Sequence, residues 1–129
     1  MIRRPDRGQR GSAVVDFVLV SVIVVPLFFG VLQLGFYLYI RNTMTAAASD
    51  GARLAATVDR GPEDGIARTE SMIDATVSSR LVDAVTADTT EIDGQPAVAI
   101  TVDAHMPVLG LWGPAFVFRV RGHGIEEVP

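Results

Sequence analysis

The run from Phe17 to Ile40 constrains this chain more than any other feature, because it holds 24 consecutive residues without a formal charge. As a helix rising 1.5 Å per residue it would be about 36 Å long, enough to cross a hydrocarbon core of about 30 Å with some tilt. Ser21, Gln33, Tyr37 and Tyr39 carry its only polar side-chain atoms. The two tyrosines stand near its C-terminal end, where amphipathic rings favour the membrane interface. Pro26 lies inside the run and, lacking an N–H, is expected to kink the helix, which membrane helices tolerate better than soluble ones. A removable signal peptide is the competing reading, but its apolar region would be about 7–15 residues long. The A-x-A pattern at Ala46-Ala47-Ala48 also falls well past the apolar stretch.

The net charge of -4 hides an asymmetry. Within residues 1–11, Arg3, Arg4, Arg7 and Arg10 face only Asp6, whereas 7 arginines meet 13 acids from Arg41 onward. Short basic flanks stay in the cytoplasm. The expected organisation is a cytoplasmic leader at 1–11, a transmembrane helix at 12–40 and an exoplasmic domain at 41–129, in a single-pass arrangement. The 89 residues beyond Ile40 suffice for a modest core but not for a large catalytic cleft. The absence of cysteine excludes disulfides, a thiol nucleophile and thiolate metal sites. An acidic exterior without a basic stripe argues against nucleic acid.

The helix is expected to continue past the membrane, from Asn42 to about Val58. There Ala47, Gly51 and Ala55 recur every fourth residue, as do Ala48, Ala52 and Ala56. Small residues at that spacing let another helix approach closely; alanine is also simply the best helix former. Gly51 favours the packing reading, because its propensity cost needs an offset. A break at Arg60 to Gly65 contains Gly61-Pro62, and Pro62, Glu63 and Asp64 suit a helix start. The second helix should run to about Leu81, with Ile66, Ile73, Val77 and Leu81 on one face. Alternation over Ala97 to Asp103 predicts a strand, and Asp93-Gly94 is a hairpin turn that pairs it with Val85 to Ile92. A third alternating run spans Phe116 to Val120, after a loop from His105 to Pro114. The predicted fold is therefore α+β: a long N-terminal transmembrane helix extending outward, a second amphipathic helix and a small antiparallel sheet of about three strands.

Asp16 is the residue that most requires a reason. A carboxylate at the centre of a membrane helix costs about 2.5–3.5 kcal/mol, and less near the edge. At headgroup depth the helix dipole would favour the anion by about 0.3–1 kcal/mol. Alternatively it awaits a cation, such as the free amino terminus of a neighbouring subunit. His105 and His123, the only histidines, lack a metal-ligand spacing. Ser12 has no base nearby in sequence, and no nucleophile elbow or phosphate loop occurs. Asn42-Thr43-Met44 fails the glycosylation pattern. Phe116, Phe118 and Trp112 read as packing residues rather than a ligand box. No catalytic site, cofactor or metal is expected.

The stretch Arg10-Gly11-Ser12-Ala13-Val14-Val15-Asp16-Phe17, followed by a long apolar helix, resembles the processing site of type IV pilin-like proteins. The residues from Arg41 through Ala47-Ala48-Ser49-Asp50-Gly51-Ala52-Arg53 resemble the helix after the membrane span in TadE-like and TadG-like proteins, which are minor pilins or pseudopilins of tight-adherence pilus machineries. The resemblance covers roughly Arg10 to Ala56 and is only architectural beyond. It implies cleavage by a prepilin peptidase between Gly11 and Ser12, and pairing of Asp16 with the new amino terminus of an adjacent subunit. Aspartate stands at this position where the family usually has glutamate. Other pilin-like subunits and the pilus assembly machinery in a bacterial inner membrane are the implied partners. An unprocessed single-pass membrane protein, with an exoplasmic domain that binds a partner or ligand, is the alternative.

Overall fold

The computed structural model describes residues 7–108 and 115–127, with side chains from Arg10 onward. Six elements follow in order: α1 (Arg7–Ala55), α2 (Pro62–Thr76), a 3-10 turn (Ser79–Leu81), β1 (Val82–Ile92), β2 (Gln95–Met106) and β3 (Phe116–Ile125). The fold is α+β, as the hydropathy pattern predicts. The chain divides into a unit ending at Gly35 and a compact unit from Phe36 onward.

In the first unit the helix already begins at Arg7, inside the expected leader, and continues through Pro26 without interruption. Pro26 has no N–H to give to the carbonyl of Val22. From Val14 to Leu34 the large apolar side chains are all about half or more exposed. A helix apolar all round needs an apolar medium, since no other described element covers it.

The second unit is a two-layer sandwich of helix on antiparallel sheet. The strand order is β1-β2-β3, with β2 central. Asp93 (φ 52) and Gly94 (φ 78) connect β1 to β2, and Ile92 pairs with Gln95. Two positive φ values in a two-residue loop make a type I′ turn, whose twist matches that of the strands it joins. Along β2, Val98, Ile100 and Val102 face the helices and are almost fully buried. The other face is not exposed along its whole length as simple alternation suggests: Ala97, Ala99 and Thr101 are buried too. They are small residues on a central strand, flanked in register by Ile125, His123 and Arg121 on β3.

The amphipathic second helix is shorter than its periodicity predicts. It stops at Thr76, where Val77 leaves helical geometry at φ -123 and ψ -106. The Ser78 hydroxyl then accepts the Arg80 N–H and starts the 3-10 turn. Serine competes for the backbone in this way more effectively than the apolar spacing of Val77 and Leu81 can sustain a helix. At the other end Pro62 occupies the first turn, and Gly61 N–H donates to Asp64 Oδ2 at 3.1 Å.

Candidate functional site

Two surfaces of α1 are built from small side chains, and each meets a different element. On the first, Ala47, Gly51 and Ala55 face α2. A Cβ placed on Gly51 would lie 2.0 Å from Thr69 Oγ1 and 2.5 Å from the Gly65 carbonyl oxygen. One on Gly65 would lie 2.7 Å from both Ala55 Cβ and the Gly51 carbonyl. The helices thus cross at a glycine–glycine contact. Thr69 is fully buried there, and its hydroxyl donates to Gly65 O at 2.8 Å, with Ala47 O a further acceptor at 3.3 Å. Arg68 Nε donates to Asp50 Oδ2 at 2.8 Å on the exposed flank of the crossing.

On the second surface, Ala48 and Ala52 face β3. A Cβ on Gly122 would come within 2.2–2.5 Å of the backbone of Ala48 and Ser49. One on Gly124 would come 2.4 Å from the Ala52 carbonyl oxygen. The chain beyond β3 is tied back to the end of α1 by Glu127 N–H, which donates to Ala56 O at 3.0 Å. Gly65, Thr69, Gly122 and Gly124 are partners that sequence reading did not single out. Gly122-His123-Gly124 carried a usable signal, since glycines at alternate strand positions mark one face approached closely by backbone.

Gly11, Ser12 and Asp16 lie together in the first two turns after Arg10. All three are exposed, and a Cβ on Gly11 would meet no atom within 4 Å. Asp16 is in the helical segment, and none of the described ion pairs or hydrogen bonds engages it. The helix-packing residues lie in the other unit.

The outer face of the sheet carries a polar row. Arg119 donates to both carboxylate oxygens of Asp103, through Nε and through Nη2 at 3.2 Å. The hydrogen bond from Arg119, reinforced by its charge, holds the Asp103 carboxyl below the usual carboxylate range, against a smaller opposing effect of burial. Arg121 Nε donates to Thr101 Oγ1 at 3.1 Å. His105 Nδ1 lies 2.8 Å from Asp83 Oδ1, next to the register shift between Val82 and Ala84. His105 and His123 are six residues apart in register along β2, roughly 20 Å at strand spacing, so they cannot share a ligand. No group of three or more His, Cys, Asp or Glu side chains able to hold a metal occurs among the described residues. A recess of about 550 Å³ between α2 and β1 is walled by Glu70, Asp74 and Asp83 with Ile73, Val82 and Val85. The ring packing expected of three aromatics is only partly realised. Phe118 stacks edge-on against Tyr37 with centroids 5.4 Å apart, Phe116 is 58% exposed, and Trp112 lies outside the described residues.

Neither a curated protein nor a solved structure matches this chain. A family model does, over the segment that holds Gly11, Asp16, the apolar run and the small-residue surfaces as far as Ala52. Residues 11–53 match the family of TadE-like proteins, the family that the sequence resembles.

Proposed function

We propose that this protein is a structural subunit, a minor pilin or pseudopilin, in the assembly of a tight-adherence pilus or related secretion apparatus. The observation that carries the reading is the coincidence of the TadE-like match at residues 11–53 with one long helix whose apolar stretch has no buried residue before Ile40. In this reading Phe17–Ile40 spans the bacterial inner membrane, residues 1–11 are a cytoplasmic leader, and the domain from Arg41 is exoplasmic. A prepilin peptidase removes the leader between Gly11 and Ser12. Asp16 then accepts the new amino terminus of an adjacent subunit, which gives an otherwise isolated carboxylate near the bilayer edge a compensating charge. The role asked of the outer domain is recognition and packing rather than chemistry.

The mature N-terminus tests the reading. Mass spectrometry of the protein from cells that carry a prepilin peptidase should find Ser12 as residue one, and Gly11→Leu should leave the full-length precursor in the membrane. Met1 retained in both would mark the chain as an uncleaved single-pass protein whose outer domain binds a partner or ligand.

A further inference from the structure

The unit that begins at Phe36 carries an apolar tier, and its position along the chain says what covers it. Phe36, Leu38 and Tyr39 on α1 are 41%, 46% and 53% exposed, and Phe116 and Val117 at the start of β3 are 58% and 75% exposed. The two groups are tied together by the edge-on contact of Tyr37 with Phe118. Ile40 is the first fully buried residue of the apolar run. The domain therefore begins to cover α1 within the run, not after it.

About 20 helical residues cross the hydrocarbon core. Counted from Phe17 they end at Phe36, so Tyr37 stands where hydrocarbon gives way to headgroups. Phe118 is in ring contact with Tyr37, and Phe116 lies two residues away, roughly 7 Å along the strand. Exposed aromatic and β-branched side chains at that depth match the interface in character, and Tyr37 and Tyr39 fit the aromatic belt. On α1 charge returns just outside the tier with Arg41, exposed and long enough to reach lipid phosphates, while on the sheet the mutually paired side chains Arg119–Asp103 and His105–Asp83 border it.

We infer that this tier is a second membrane contact: the start of β3, through Phe116 and Val117, rests in the headgroup–acyl boundary of the same bilayer that α1 crosses. The occupant is lipid, argued from continuity with the spanning helix. The contact holds the outer domain down on the membrane surface at two points, the helix and the strand end. The inference rests on the reading that Phe17–Ile40 spans the membrane, and the experiment separates the two.

The chain has no cysteine, so single-cysteine variants of the full-length protein can be labelled with an environment-sensitive fluorophore in phosphatidylcholine vesicles. Val117→Cys and Phe116→Cys report the tier. Leu27→Cys reports the span, and Thr90→Cys reports the exposed far end of the sheet beside the Asp93-Gly94 turn. The label at position 117 should be quenched by lipids with a shallow doxyl group and be several-fold less accessible to aqueous iodide than the label at position 90. A label at 117 as open to iodide as that at 90, with position 27 still quenched by deep doxyl lipids, overturns the inference and leaves the spanning helix intact. Protection from iodide without quenching by lipid would mean that protein covers the tier, as in a second copy, and also overturns it. Loss of lipid quenching at position 27 itself would overturn the spanning reading and the inference with it.

Discussion

Replacing Gly122 by alanine sets a general trend against a specific contact. Away from contacts, exchanging a strand glycine for alanine stabilises by about 0.4–1 kcal/mol, because the unfolded chain loses freedom. Gly122 has no left-handed backbone to protect, so nothing local opposes the change. The opposition comes from α1. The new methyl would sit 2.2 Å from Ser49 N, 2.3 Å from the Ala48 carbonyl carbon and 2.5 Å from Ser49 Cα. Ordinary contact needs about 3.5–4.0 Å, and none of these backbone atoms can rotate aside. β3 has to retreat by more than about 1 Å, loosening Val120 and the close approach of Gly124 to Ala52. Overpacking of this kind costs about 1–3 kcal/mol and occasionally more, so it outweighs the entropic gain. We expect a net loss of about 2 kcal/mol, equivalent to roughly 8–16 °C in Tm for a domain of this size. Thermal unfolding of the full chain in detergent, followed by near-UV circular dichroism, measures it. Gly61→Ala, where a Cβ meets nothing within 4 Å, is the control and should stay within about 1 kcal/mol of wild type. An unchanged or raised Tm for Gly122→Ala would refute the claim that β3 is seated on the backbone of α1.

Three further outcomes follow from the same geometry and from the proposed function. On the proposed topology, in which the arginines before Phe17 keep the N-terminus cytoplasmic, a C-terminal alkaline phosphatase fusion should be active; an inactive fusion, with a cytoplasmic reporter working at the same end, would reverse the topology. Asp16→Asn should lower cross-linking to partner pilins at matched membrane abundance while leaving insertion unchanged or improved; an unchanged yield would leave Asp16 as a helix-start acid. The carboxyl of Asp103 is held below the 3.8 of an ordinary aspartate, so its contribution is fully present above that value and lost as pH falls through its lower folded value. Arg119→Ala should therefore be less stable than wild type at neutral pH, the gap closing in acid; a gap independent of pH would show that the pair contributes by packing alone.

What the sequence determined by itself is what depends on neighbours along the chain. The charge-free run from Phe17 to Ile40 specifies a membrane environment through the sum of its own transfer energies. Asp93-Gly94 specifies its turn because only a few residues accept two positive φ values in succession. The alternation around Ile100 places a strand because one face has to be buried. The small residues of α1 were visible too, but not what they meet. That Ala47 and Gly51 receive α2 while Ala48 and Ala52 receive β3 is a matter of distances between elements remote in sequence, to which hydropathy is blind. The early end of α2 came from a local competition, the Ser78 hydroxyl against an apolar stripe, that periodicity does not weigh. The exposure of Phe116 was likewise decided in three dimensions, since the register of β3 on β2 puts Phe118 against Tyr37 and leaves Phe116 beyond the edge of the core. Tertiary structure chose among the contacts that composition permits, because close packing tolerates an error of less than one methyl group at a glycine contact.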